Sequence, residues 1–336
     1  MHPLDGDGLS FSFFYILAKE NKQLDSAKVS IPPTVLFEQG FAKAWFISDS
    51  TTLGVKKRVG KDVDEKHIYA AFKKGSHDGE LVASFLSCAD PPETPSADQE
   101  DVASTCHVQY FDAAGLKEFL FNTIQKPKGI LQKFIPPKGN NNTVIQVVWS
   151  PQIILTECRR SRYSLHDHQL PPFQRGATFE GASHMTTQVV LAPLVLEKLK
   201  EACSITVEHF QSTEHMAIAR MVLFFKVDPA NQVRLLYSTS VRVTEKDNRM
   251  GQHAPLNLSV RLTGQPPCKQ QGLDLLMVKM DGDLSHVRQT MGWFLRDGSN
   301  PAAQATHGPA GIHGPAALVP HGSDPSRGPR KGGRHA

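Results

Sequence analysis

Two long apolar arms around a short turn constrain this chain more than any other feature. Met216–Val227 and Gln232–Val243 flank Asp228-Pro229-Ala230-Asn231, residues that favour a turn. The pattern predicts an antiparallel β-hairpin. On its second arm Val233, Leu235, Tyr237, Val241 and Val243 alternate with Arg234, Ser238, Ser240 and Arg242. That alternation predicts one buried and one solvated face, as an antiparallel sheet permits. Just upstream, Pro193 opens a helix at a position where its missing N–H costs nothing. Leu196, Leu199, Cys203, Val207 and Phe210 share one face of that helix, and Glu197, Lys198, Lys200 and Glu201 the other. Such a helix lies on a sheet.

Other segments extend the same theme. Thr143–Trp149 and Gln152–Cys158 are β-branched runs separated by Ser150-Pro151. The polar stretch Arg159–Gly181 has no usable periodicity and is expected to be a loop. Asp62–Lys74 is expected to be a helix, with Asp62 and Glu65 at capping-box spacing and Gly75 as its stop. A strand is expected at Glu80–Cys88 and a second helix from Asp112 to Lys126, ended by Pro127. Phe41–Ile47 fits helix and strand periods equally. Leu256–Leu262 and Leu273–Met280 are further strand candidates, and Asp283–Leu295 a closing helix. The expected fold class is α+β: largely antiparallel sheet with packed helices. Two subdomains are expected, 31–136 and 143–296, the first interrupted by an acidic, proline-containing loop at 89–104. Ser299–Ala336, rich in Gly, Pro, Ala and His, has too few apolar side chains to offset its ordering entropy and is expected to be a disordered tail.

Lys plus Arg number 37 and Asp plus Glu 33, a formal charge of +4 that argues against a dedicated nucleic-acid binder. The apolar run Leu9–Ala18 is too short to span a bilayer and is preceded by Asp5 and Asp7 rather than by basic residues, so it reads as part of the core and not as a secretory signal. Cys88, Cys106, Cys158, Cys203 and Cys268 are odd in number and widely spaced, which fits reduced thiols in an intracellular, non-secreted protein.

Chemical motifs are sparse. Gly54 and Gly60 enclose five residues rather than the four of a phosphate-binding loop, and Asp62 stands where a metal-binding hydroxyl belongs. His166 and His168 flank Asp167 without a second ligand pair, and no nucleophile elbow is present. Asp281 and Asp283 follow an apolar run and offer two carboxylates to a divalent ion. Arg159, Arg160, Arg162 and Tyr163 form the densest basic cluster, suited to a partner's carboxylates or phosphates. With no cofactor motif, these features favour a non-catalytic scaffold or adaptor that binds another protein through the arginine cluster. The alternative is a metal-dependent transferase using Asp281 and Asp283. A third reading is binding of RNA or phospholipid head groups through Arg159–Arg162.

Overall fold

A computed structural model describes residues 2–20, 25–49, 51–58, 60, 63–88, 104–245 and 260–264. In chain order these form β1 (Gly6–Asp7), α1 (Ser12–Leu17), β2 (Thr34–Glu38), β3 (Phe41–Ser48), β4 (Val55–Arg58), α2 (Glu65–Lys73), β5 (Leu81–Cys88) and β6 (Ser104–Asp112). There follow α3 (Ala113–Phe121), β7 (Gly129–Lys133), β8 (Asn141–Trp149), β9 (Ile154–Ser164), α4 (Pro172–Gly176), β10 (Thr186–Gln188), α5 (Pro193–Glu214), β11 (Met216–Val227), β12 (Val233–Glu245) and β13 (Val260–Thr263). Among the described residues the strands make two sheets. The first runs β1-β12-β11-β8-β9-β10, and the second β13-β6-β5-β7-β2-β3-β4. All pairings are antiparallel except β13 with β6. The fold class is α+β, as the sequence predicts.

The second sheet is buried on both faces. Val35, Phe37, Trp45, Phe85 and Leu131 pack with Ile68 and Phe72 of α2 and Leu116, Phe119 and Leu120 of α3. Their chain neighbours Leu36, Phe46, Leu86 and Ile130 point the other way, into a larger core shared with α1, α5 and the first sheet. Successive strand residues therefore serve two cores, which is why Phe41–Ile47 shows no clean period. β3 is nonetheless a strand, set by a two-residue turn in which Gln39 and Gly40 both take positive φ, 53° and 84°, the turn that matches hairpin twist.

The helices begin and end where local chemistry directs. α2 is capped by the Asp64 carboxylate, which accepts from the Lys66 N–H at 3.3 Å. The expected cap, Asp62, lies outside the described residues. The second expected helix is shorter than Asp112–Lys126: Asp112 is its cap rather than its first turn, accepting from Gly115 N at 2.7 Å, and it stops at Phe121. Lys126 instead turns inward to meet Glu65 at 2.9 Å. α5 follows its predicted face and extends to Glu214, closed by His215 at φ 57°.

The hairpin forms as β11 and β12, with Asp228 Oδ1 accepting from Gln232 N at 2.8 Å across the turn. Leu235, Tyr237 and Val241 are buried, but the opposite face is not wet: Ser238 and Ser240 are buried too. The reason is the N-terminal segment. β1 pairs with β12, and Asp7 accepts from Ser240 Oγ at 2.6 Å and Arg220 at 3.0 Å and also pairs with Arg242. Arg234 is likewise tied down, to Asp228 and Ser30.

Two further expectations change. β9 carries the chain as strand through Ser164, so Arg159–Ser164 is not loop: it is held between β8 and β10. Cys88 and Cys106 are not free thiols. The antiparallel register of β5 and β6 sets them opposite one another, Cα–Cα 4.2 Å, and they form a disulfide. Cys158 and Cys203 are free and buried, and burial pushes their thiols up to about 11 and about 12. Cys268, the segments Leu273–Met280 and Asp283–Leu295, most of the 89–104 loop and the 299–336 tail lie outside the described residues. Among the described residues no helix is long and apolar enough to cross a membrane.

Candidate ligand-binding site

The end of α2, the start of β5, the end of β7 and the turn after β9 meet around a cavity of about 360 Å³. Its apolar wall is Phe72, Leu81, Val82, Phe134 and Leu165, all buried side chains. Its polar rim is Lys74, His77, Glu80, Lys133 and His166. The rim carries two lysines and two imidazoles against one carboxylate, so it favours an anion. Glu80 is partly engaged already, accepting from the His77 N–H at 2.9 Å.

The walls are held by a buried guanidinium. Arg175 donates from Nη1 to Gly79 O and Leu165 O, both at 2.9 Å, and lies 3.3 Å from His168 Nδ1. It thus ties the turn before β5 to the turn after β9. Gly79 has φ +80°, and a Cβ there would meet the His168 ring at 2.6 Å, so only glycine suits the position. Burial pulls the Arg175 guanidinium below its usual range, with Asp112 and Asp167 opposing.

Lys133 is the last residue of β7 and reaches the C-terminus of α2. Its Nζ lies 2.9 Å from Ala71 O and 3.0 Å from Lys74 O, carbonyls that the helix leaves open. Burial pushes its amine below the ordinary lysine value, and the Lys74 charge pushes it the same way.

Behind Phe134 lies a group of buried ionisable side chains. Lys226, near the end of β11, places Nζ 3.5 Å from the centre of the Phe134 ring and donates to Ile135 O at 2.5 Å. Burial holds its amine well below the usual range, partly offset by the Glu180 charge. The Glu180 carboxylate accepts from Tyr110 Oη at 2.5 Å, Thr178 N at 3.0 Å and Thr178 Oγ1 at 3.1 Å. Burial raises its carboxyl against those hydrogen bonds, which favour the anion. Burial raises the Tyr110 and Tyr237 hydroxyls too, and Glu180 adds to both. Perturbed groups of this kind beside a cavity mark a place where chemistry is worth seeking.

The residues singled out from sequence lie elsewhere. Arg159 and Tyr163 are half-buried, whereas Arg160 and Arg162 are exposed. Arg159 pairs with Glu157 at 2.7 Å and covers the Phe179 ring, whereas Arg162 donates to Thr186 O at 3.3 Å. Tyr163 packs beside Ala177, Ala182 and Met185. The four therefore do not converge on one surface. Asp281 and Asp283 lie outside the described residues, and no cluster of metal-ligating side chains occurs among the described ones. Val55–Arg58 of the glycine-flanked loop is the strand β4. The cavity residues escaped sequence reading because they come from separate segments. The legible signal was Lys226, a lone charge inside MVLFFKV.

No family model matches the chain, and no curated protein matches it. Solved structures do. D-cycloserine synthetase DcsG has 9% identity and TM-score 0.35 over 64% of this chain and 58% of that one. Macrocyclase MdnB from Microcystis aeruginosa MRC has 12% and 0.32 over 70% and 54%. Carboxyaminoimidazole ribonucleotide synthase from asperigillus clavatus, complexed with ATP, has 7% and 0.29 over 63% and 41%. The chain spans about half the length of these solved chains. The names of these structures are those of enzymes, and the arginines of β9 do not form the surface on which the expectation of a non-catalytic scaffold or adaptor rested, so that expectation is withdrawn. At these TM-scores the likeness assigns neither a family nor a reaction.

Proposed function

We propose that this chain binds a small organic anion in the cavity between α2, β5, β7 and the turn after β9. The observation that carries the reading is the pairing of an apolar wall, Phe72, Leu81, Phe134 and Leu165, with a cationic rim, Lys74 and Lys133. The volume falls in the range of small-ligand sites, and a few polar groups converge on one side of it, as such sites require. A ligand with an apolar ring and one anionic group satisfies both halves.

Calorimetric titration with phenyl phosphate tests the binding. The protein is expected to bind it saturably, and benzyl alcohol, which lacks the charge, far more weakly. Lys74→Glu should weaken phenyl phosphate by about tenfold, the effect of reversing one nearby solvated charge. Absence of saturable binding in the wild type at millimolar ligand would refute the reading.

A further inference from the structure

The Cys88–Cys106 disulfide lies beside an edge strand. Within the β5–β6 ladder, Cys88 opposite Cys106 is the last pair among the described residues. β13 lies against the other side of β6, in parallel, over Ser104–His107. Leu262 is the partner of Cys106 in that register, so three strands meet at the bridged pair. β13 spans Val260–Thr263 and stands at the end of the second sheet, with β6 as its neighbour. A short parallel strand held on one side takes its stability from the strand it lies on. The side chains at this place repeat that dependence. Thr263 Oγ1 lies 2.8 Å from His107 Nδ1 and 3.5 Å from Cys106 O, and Gly264 O lies 3.2 Å from His107 Nδ1. Leu262 is buried in the larger core, and Gly264 packs on the Phe173 ring of α4. The bridge itself is open from one side: Cys106 is fully buried and Cys88 half-buried. Of the two residues, Cys88 is therefore the one an attacking thiolate reaches.

We propose that the Cys88–Cys106 bridge is a redox-operated latch: closed, it holds the start of β6 as the template on which β13 docks, and opened by a dithiol it lets β13 leave. With the bridge closed, this end of the β5–β6 ladder does not fray, because parting Cys106 from Cys88 would break a covalent bond. With it open, hydrogen bonds and packing alone hold the end, and the ends of elements open at low free-energy cost. In the opening reaction one thiolate of the dithiol attacks Cys88 Sγ. The S–S bond breaks, and its electron pair leaves on Cys106 Sγ, which takes up a proton. The second thiol of the reductant loses its proton, attacks the mixed disulfide and releases Cys88 Sγ, which is protonated in turn. The cystine thereby gains two electrons and two protons, and the dithiol becomes a cyclic disulfide. Departure of β13 makes β6 the edge of the second sheet and uncovers Leu262 and the main chain of Ser104–His107. Such an edge accepts a strand from elsewhere.

The test is amide hydrogen–deuterium exchange on the full chain, oxidised and after dithiothreitol under native conditions. Alkylation of Cys88 and Cys106, read by mass spectrometry, reports whether the bridge has opened. Reduction should speed exchange at residues 260–263 and 104–107 by about tenfold or more, while residues 34–37 and 130–132 of the same sheet keep their rates. Reoxidation should restore the protection. Cys88→Ser should exchange rapidly at 260–263 with and without dithiothreitol, which separates loss of the bridge from other effects of the reductant. Unchanged exchange at 260–263 in protein whose Cys88 and Cys106 both alkylate would overturn the latch. A uniform rise across the second sheet would overturn it too, since the bridge would then be a general staple. A bridge that dithiothreitol leaves closed in the folded protein would equally end the proposal.

Discussion

Lys226 places a titratable amine inside the core. Its amine is buried against Phe134 with Ile135 O as hydrogen-bond partner, and the lowered pKa means the unfolded chain holds the proton more tightly than the folded one. A group depressed on folding contributes stability above its unfolded value, 10.5, and loses it as pH falls through the folded value. Relative to Lys226→Met, the wild type should therefore become more stable as pH is raised from 7 towards 10. Parallel melting curves across that range would show that Lys226 titrates as it does when unfolded. Leu235 is a simpler case. It is fully buried in the larger core, so Leu235→Ala should cost about 2–5 kcal/mol in denaturant unfolding. A loss below about 1 kcal/mol, the scale of surface changes, would mean that the hairpin is misfaced.

At the scale of elements, the informative pair is β5 with β6. Their register places Cys88 opposite Cys106 and closes a loop whose ends are 18 residues apart. Loop-closure entropy for that length is worth about 3 kcal/mol. Adding a reductant should lower the melting temperature of the wild type and leave Cys88→Ser unchanged. Equal melting of oxidised and reduced protein would show that the bond adds nothing to the fold. Sequence spacing concealed this pair, because register is a tertiary property and the intervening residues carry no strand signal. The same limitation misjudged β9: its arginines looked like loop, although Ser161 is buried and Arg160 and Arg162 are exposed in strand alternation. Helix caps were missed by a residue or two: Asp112, expected inside the helix, is its cap, and Asp112→Ala should cost about 1 kcal/mol through loss of the bond to Gly115 N.

Across the whole molecule, the second sheet is the shared wall between two cores, and the cavity opens where that sheet meets α2 and the turn following β9. The hairpin, α5 and the antiparallel class were readable because each is announced by a run of one period. The cavity was not, because Phe72, Lys133, Phe134 and Leu165 are ordinary residues until folding brings them together. The N-terminal segment was underestimated for a related reason: Asp7 gains its meaning only from Arg220 and Ser240, more than two hundred residues away. Under the proposed function this assembled cavity, rather than the arginines of β9, receives ligand. Amide chemical-shift mapping during a phenyl phosphate titration tests it directly. Saturable shifts are expected to concentrate at residues 72–82, 131–136 and 165–166. Shifts centred on Arg160 and Arg162, or none at saturating ligand, would contradict it.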